Sequence, residues 1–206
     1  MSGRIEPMSM EIVRKGYDKI ATRYMEARSQ LINYRYLEKL NNLLGPGSTI
    51  LDIGCGAGKP IDRFFVNKGH RVTGIDISRK QIKLAKKNVP QASYYVKDIA
   101  SLQREEYQVD AIISFYTIVH IPRETHQDFF EKINSFLPEG GLILVTMGSS
   151  EREGIEDFYG VRMYFSHYAP EKNRDIIEKC GFELMTDEIE TNLGDKHQVI
   201  LARKIR

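Results

Sequence analysis

The sequence predicts an α/β fold: a doubly wound, mostly parallel, seven-stranded sheet with helices on both faces. Three observations predict it. Short apolar runs alternate with segments of helical period along most of the chain, the pattern of repeated strand–helix units. A glycine-rich turn, Gly54-Cys55-Gly56-Ala57-Gly58, joins the first such run to the next helix. The last two strand-like runs are separated only by Asn192-Leu193-Gly194-Asp195, a connection so short that it requires a hairpin and one antiparallel strand.

The elements follow in order. Tyr17, Ile20, Ala21 and Tyr24 keep helical spacing near the start. Residues 29–44 place Leu31, Ile32, Tyr36, Leu37, Leu40, Leu43 and Leu44 on a helical stripe that Gly45-Pro46-Gly47 ends. Residues 49–53 are a first strand, and Pro60 suits the first turn of the helix after the glycine loop. Residues 71–75 form a second strand. Ser78 and Gln81 then make a capping box for a helix over 79–88 that Pro90 breaks. Strands are expected at 92–96 and 109–115, a helix from Pro122 to Pro138, and a fifth strand at 142–147 after Gly140-Gly141. A helix over 170–180 precedes the terminal runs 182–190 and 197–204. Right-handed crossovers put the carboxyl ends of the parallel strands on one edge, where open sheets of this kind bind ligands.

Composition narrows the function. The chain has 206 residues, enough for one domain, with 41% hydrophobic and 28% charged residues, as in an ordinary folded protein. Thirty basic against 28 acidic residues leave a net charge of +2, which gives no general attraction to nucleic acid. The local cluster Arg79, Lys80, Lys83, Lys86 and Lys87 reads as a solvated helix face. No apolar run approaches the roughly 20 residues that span a bilayer, and the opening MSGRIEPMSM lacks a signal-peptide core, so a cytoplasmic protein with no membrane partner is expected. Cys55 and Cys180 form neither a CxxC pair nor a ligand cluster, so no metal is expected.

The chemistry concentrates after the first three strands. A dinucleotide fingerprint would need a third glycine at position 59, which is Lys59, so spacing counts against a pyrophosphate cofactor. The loop's N–H groups and the following helix favour an anionic group. Asp52, just before the loop, suits an ammonium, directly or through water. Asp76 closes the second strand, placed to accept from ribose hydroxyls, with Ile77 beside it to pack on a base. Asp98 follows the third strand and is able to accept from an exocyclic amine. Each aspartate alone reads as a loop or cap residue; their joint placement points to a nucleoside site.

On these residues the chain resembles the class I S-adenosylmethionine-dependent methyltransferases, over about residues 17–204. Residues 51–58 look like that family's first motif, residues 74–78 its second, and Lys97-Asp98-Ile99 its third. Ser114-Phe115-Tyr116-Thr117-Ile118-Val119-His120 resembles the fourth. The resemblance implies a strand order 3-2-1-4-5-7-6 with the seventh antiparallel. It implies S-adenosyl-L-methionine as cofactor and S-adenosyl-L-homocysteine as product. Asp76 would hold the ribose, Asp98 and the Ile99 backbone would read adenine, and Gly54 to Gly58 would line the methionine end. Cys55, Gln81, Ser114, Phe115 and Tyr116 join the expected cofactor contacts. The fourth motif lacks the Asn/Asp-Pro-Pro-Tyr signature, which argues against exocyclic-amine methylation of DNA.

Tyr17 to Tyr24 resembles the N-terminal lid of small-molecule methyltransferases, giving a lid at 1–28 and a cofactor domain at 29–206. Tyr17 and Tyr24 would close over the methionine part; the equal alternative is an ordinary packing helix. Methyl transfer needs alignment and water exclusion, and a base only where a proton must leave. His120 and His167 are the candidate catalytic groups, and either is also able simply to bond a backbone carbonyl. His70, His126 and His197 are given no role. Aromatic residues of the lid and of 158–168, with Tyr164, Phe165 and Tyr168 as candidate substrate contacts, suit a small-molecule acceptor. An RNA, DNA or protein methyltransferase and a non-catalytic cofactor-binding subunit stand as alternatives, and an oxidoreductase is disfavoured by Lys59 and the hairpin.

Overall fold

The computed structural model describes residues 5–28, 33–192 and 195–206. Leu31, Ile32, Leu193 and Gly194, which the sequence reading used, lie outside the described residues. The chain opens with a long helix, α1 (Ile5–Arg28), followed by α2 (Tyr34–Leu43), which starts where Asn33 accepts the Arg35 N–H at 3.1 Å. Parallel strands and helices then alternate: β1 (Thr49–Ile53), α3 (Ile61–Asn67), β2 (Arg71–Asp76), α4 (Arg79–Asn88), β3 (Ser93–Val96), β4 (Ala111–Ser114), α5 (His126–Asn134) and β5 (Leu142–Gly148). β6 (Arg152–Phe158) and β7 (Val161–His167) follow, then α6 (Pro170–Lys179), β8 (Phe182–Asn192) and β9 (Asp195–Lys204).

The main sheet runs β3-β2-β1-β4-β5-β9-β8, and β9 is antiparallel to both neighbours. Counted within that sheet alone, this is the expected order 3-2-1-4-5-7-6. Side-chain alternation makes it doubly wound. Leu51, Ile53, Ile112, Ile143, Val145, Ile200 and Ala202 point to a core closed by Phe129, Phe130 and Ile133 of α5 and Ile176 and Ile177 of α6. Their neighbours Ile50, Ala111, Ile113, Leu142, Leu144, Val199 and Leu201 point to the opposite core, closed by Tyr36, Leu37 and Leu40 of α2 and Ile61 and Phe65 of α3. Ile112 is fully buried, and truncating such a side chain to alanine costs about 2–5 kcal/mol.

Three elements differ from expectation. Pro122 is extended (ψ 125°), so a short 3-10 turn over Arg123–Thr125 precedes α5 instead of one helix from the proline. The expected strand 109–115 narrows to Ala111–Ser114, because Val109 bonds back to the Phe136 carbonyl instead of entering the ladder. Residues 152–167, read only as a connection, are the β6–β7 hairpin, a separate two-stranded sheet. β6 carries Arg152, Glu153, Glu156 and Asp157 and has no apolar run to announce a strand. Its partner β7 supplies the buried Met163 and Tyr164 against which Val13, Ile20 and Tyr24 of α1 pack. α1 thus lies between the hairpin and α4, across the carboxyl edge of the sheet. Among the described residues no helix is long and apolar enough to cross a membrane.

Candidate functional site

The glycine loop after β1 turns back on itself. Gly54, Gly56 and Gly58 all take left-handed φ values (79°, 55° and 73°). A Cβ on Gly54 would fall on the Thr117 side chain, and one on Gly58 would stand 2.6 Å from Tyr94 Oη. The sequence suggested free loop amides for an anion, and the structure corrects this. Gly54 and Cys55 N–H both donate to the Ile75 carbonyl, Gly58 N–H to Cys55 O, and Gly56 N–H to Asp76 Oδ2 at 3.0 Å. Three amides of the loop are spent bracing it against β2, and a fourth closes the turn on itself. Asp76, buried, also accepts from Ser78 N–H at 2.8 Å, so its carboxylate is locked at the strand end with its side chain bordering the loop.

Three cavities meet along this edge. An inner slot of about 40 Å³ lies under α1 between Gly54, Gly56, Asp76, Gln81 and Tyr116. A larger cavity of about 1040 Å³ continues it past Ile77, Asp98 and Ile99, between the loops after β2 and β3 and the start of α5. Asp98 there accepts the Ala100 N–H at 2.9 Å and caps the short turn Ile99–Ser101. A third cavity, about 800 Å³, opens on the other side beneath the β6–β7 hairpin. Tyr17, Tyr24, Tyr116 and His120 border both this cavity and the slot, so they form the wall between them. Gln81 is 1% exposed, and neither of its amide atoms has a hydrogen-bond partner.

His120 is held at both ring nitrogens. Nδ1 lies 2.7 Å from the Tyr164 carbonyl and Nε2 lies 2.8 Å from Tyr17 Oη. A carbonyl only accepts, so Nδ1 carries the proton and Tyr17 O–H donates to Nε2. Burial pushes the imidazole down to about 4, so it is neutral near pH 7. The sequence reading offered a carbonyl bond or catalysis; the carbonyl bond is present, and the other nitrogen orients a phenol at the wall of the slot.

His167 bonds Ser150 O through Nδ1 at 2.7 Å, which leaves Nε2 as its lone-pair nitrogen on a ring that lines the third cavity. Burial lowers its pKa, with Arg152 and Arg123 adding to the effect. Gly148 is required beneath it, since a Cβ there would overlap the ring. Tyr116 takes a left-handed φ of 57°, a strain of about 1–3 kcal/mol. Its N–H donates to Thr146 Oγ1 at 2.6 Å and its ring stands edge-on to His197 at 4.7 Å. Arg152 pairs with Glu156 and lies over the Phe165 ring, 5.1 Å from its centroid.

Most of the expected site residues converge here, and some do not. Tyr17, Tyr24, Gly54, Gly56, Asp76, Ile77, Gln81, Ile99, Tyr116 and His120 border the slot; Asp98 borders the large cavity; Phe165 and His167 border the third. Asp52 is fully buried and lines none of the three. Cys55 turns its thiol into a cluster with Ile82, Ala85, Val89 and Tyr94. Ser114 Oγ donates to Ile53 O, tying β4 to β1, and Phe115 packs in the α2–α3 core. Gly58 serves the packing of Tyr94, whose phenol donates to buried Asp62 at 2.9 Å. Burial and that carboxylate push the phenol well above its ordinary range. Tyr164 faces α1 and donates to Glu153, and Tyr168 stands edge-on to His126 in the α5–α6 core, so neither lines the third cavity.

Sequence reasoning missed Thr117, Met10 and Val13 in the slot, and Arg152 and the Asp195-Lys196-His197 stretch in the third cavity. The last group arrives because β9 pairs Gly148 with His197, a register only the long-range ladder sets. The exposed face of α4 is as expected: Arg79, Lys80, Lys83, Lys86 and Lys87 all meet solvent. Among the described residues no His, Cys, Asp and Glu cluster is arranged to hold a metal ion.

Comparison with known proteins agrees with this architecture. Residues 50–141 match a family model described as a methyltransferase domain. The chain is 34% identical over 112 residues to the S-adenosylmethionine-dependent methyltransferase UmaA of Mycobacterium tuberculosis, covering 53% of this chain and 38% of that protein. It is 31% identical over 146 residues to phosphoethanolamine N-methyltransferase 2 of Caenorhabditis elegans, covering 66% of this chain and 33% of that protein. The chain spans less than half the length of these relatives. In fold it is similar to 1,6-didemethyltoxoflavin-N1-methyltransferase of Burkholderia thailandensis, crystallised with S-adenosylhomocysteine. The TM-score is 0.77 at 16% identity over 98% of this chain and 91% of that one.

Proposed function

From the class I S-adenosylmethionine-dependent methyltransferase domain that this chain carries, we propose that it transfers the methyl group of S-adenosylmethionine to a small molecule held in the cavity beneath the β6–β7 hairpin. One observation carries the reading: the same four side chains wall both the glycine-loop slot and that cavity. A group bound in the slot is thereby one side chain away from an acceptor.

The residues present fit the cofactor. Asp76 is buried at the end of β2 with its oxygens fixed by two backbone amides, in place to accept from ribose hydroxyls. Gln81 brings a buried amide whose donor and acceptor await partners. Asp98 and Ile99 border the cavity for the base, with Ile77 on its apolar side. The cofactor supplies a methyl carbon already activated by its sulfonium.

The chain's own residues then align and shelter the acceptor. Tyr17, turned by His120, presents its phenol oxygen at the wall, and Tyr24 and Tyr116 border the slot, where a cation over either ring face is favoured by about 0.5–2 kcal/mol. Where the acceptor loses a proton, His167 Nε2 takes it, its tautomer already set by Ser150 O. Phe158, Tyr159 and Phe165 supply apolar walls and exclude water, which suits a compact acceptor better than a polymer.

Calorimetric titration with S-adenosylmethionine, S-adenosylhomocysteine and NAD tests the reading. Micromolar binding of the sulfur ligands, about −8 kcal/mol, lost in Asp76→Ala and absent for NAD, is expected. Binding of NAD alone, or of none of the three, would defeat it.

A further inference from the structure

We propose that Asp18 is a positioning residue for methyl transfer: its carboxylate fastens α1 to the start of α4 and so fixes Tyr17 on the wall between cofactor and acceptor. The inference rests on the methyltransferase reading above and assigns α1 its point of attachment.

The contacts are specific. Asp18 Oδ1 accepts from Ser78 Oγ at 2.7 Å and from Lys80 N–H at 3.3 Å, and Oδ2 accepts from Arg14 at 3.4 Å. Lys80 N–H is one of the amides that a helix start leaves without an internal partner, and the positive end of α4 favours a carboxylate there. Ser78 has a second duty on each side. Its N–H donates to Asp76 Oδ1 at 2.8 Å, and its Oγ accepts the Gln81 N–H at 3.1 Å. A single serine therefore joins Asp18 of α1 to Asp76, placed at the ribose, and to Gln81 at the border of the slot. Successive residues of a helix point about 100° apart. Asp18 thus faces α4 while its neighbour Tyr17 faces His120 and the hairpin. The other charges of this stretch, Glu11, Arg14 and Lys15, form exposed ion pairs within α1 that hold it to nothing else.

The slot gives the contact its consequence. At about 40 Å³ it is far below the roughly 300–1,000 Å³ of small-molecule sites. The base has the adjoining cavity of about 1040 Å³, but the methionine end has only the slot, which widens when α1 lifts. Lifting it from α4 breaks the Asp18 contacts and the 3.3 Å contact from Asn88 Nδ2 to Met25 Sδ. When α1 returns, the Asp18 contacts restore Tyr17 to His120. Cofactor exchange and acceptor alignment are in this way linked through a carboxylate that lines none of the three cavities.

The test uses the full chain, with S-adenosylhomocysteine release followed by stopped-flow displacement and amide exchange followed along α1. Asp18→Ala is expected to speed release about 10-fold or more and to raise exchange across α1 while β4 and β5 stay protected. Asp18→Asn keeps an oxygen for Ser78 Oγ and Lys80 N–H and is expected to return release to within about 3-fold of the parent chain. A merely structural defect would show no such rescue. Ser78→Ala should also speed release, and its effect should add less than fully to that of Asp18→Ala, because the two variants share one hydrogen bond. Release and α1 exchange unchanged in Asp18→Ala, or no rescue by Asp18→Asn, overturn the proposal. If the parent chain binds no S-adenosylhomocysteine, the cofactor reading fails instead, and α1 exchange in Asp18→Ala still decides whether the contact holds the helix.

Discussion

Tyr17 Oη lies 2.8 Å from His120 Nε2 although the two residues are 103 positions apart, and the imidazole's other nitrogen is committed to the Tyr164 carbonyl. The helix, the loop after β4 and the hairpin therefore meet at one ring. Tyr17→Phe keeps the ring but removes the donor, leaving a buried lone pair without a partner, a loss of about 1–3 kcal/mol. Urea unfolding should show that loss. S-adenosylhomocysteine affinity should change by no more than about threefold, since the ring remains in the slot, while transfer to a true acceptor should fall about 10- to 100-fold. Unchanged turnover would remove the phenol from the mechanism.

Stability should fall with acid in a defined window. Burial pushes both His120 and His126 down to about 4 from an ordinary 6.5. Each is neutral in the folded chain, whereas the unfolded chain binds the proton below about pH 6.5. Their stabilisation is complete at pH 7, is lost as pH falls from about 6.5 to 4, and changes no further below. A shift of that size is worth on the order of 3 kcal/mol per residue. Urea midpoints at pH 7.5 and 4.5 read most of that loss, together with what His70, His167 and His197 add, since burial lowers their pKa values as well. His126→Phe should shrink the difference, because His126 Nδ1 is buried without a partner and pays for protonation in full.

Two glycines separate the two halves of the site. Gly54→Ala drives a Cβ into Thr117 at a left-handed φ, and should weaken S-adenosylhomocysteine binding about 10-fold or more. Gly148→Ala displaces the His167 ring from Ser150 O on the far side of the wall. It should leave cofactor affinity within about twofold and reduce transfer instead. Equal losses of binding in the two variants would show that cofactor and acceptor sites are not divided where the cavities divide.

What the sequence makes legible follows the range of the interactions. The glycine loop, Asp76 and the capping serine are local: each residue's role is set by neighbours within one strand–turn–helix unit, so spacing alone locates them. The hairpin order is equally local, because four residues cannot connect parallel strands. The free loop amides were misjudged because their acceptors, Ile75 O and Asp76, lie on another strand. Tyr164 and Phe165 show the same limit: adjacent on β7, they point to opposite faces, and only the packing of α1 decides which face is cavity. His197 reaches the site through a ladder across 49 positions, Gly148 to His197, that leaves no mark in composition.

Gln81 offers the sharpest separation of binding from stability. It sits in the first turn of α4, 1% exposed, with donor and acceptor both unsatisfied at the border of the slot. A buried amide in that condition destabilises the folded chain by about 1–3 kcal/mol relative to an apolar group of the same shape. Methionine has that shape, favours helix, and would pack toward Met10 and Ile77, which border the same slot. Gln81→Met should therefore raise the urea midpoint while weakening S-adenosylhomocysteine about 10-fold, the trade expected where a residue is kept for a ligand and not for the fold. Raised stability with unchanged affinity would take Gln81 out of the cofactor site. Lowered stability would show that its amide already has partners in the folded chain.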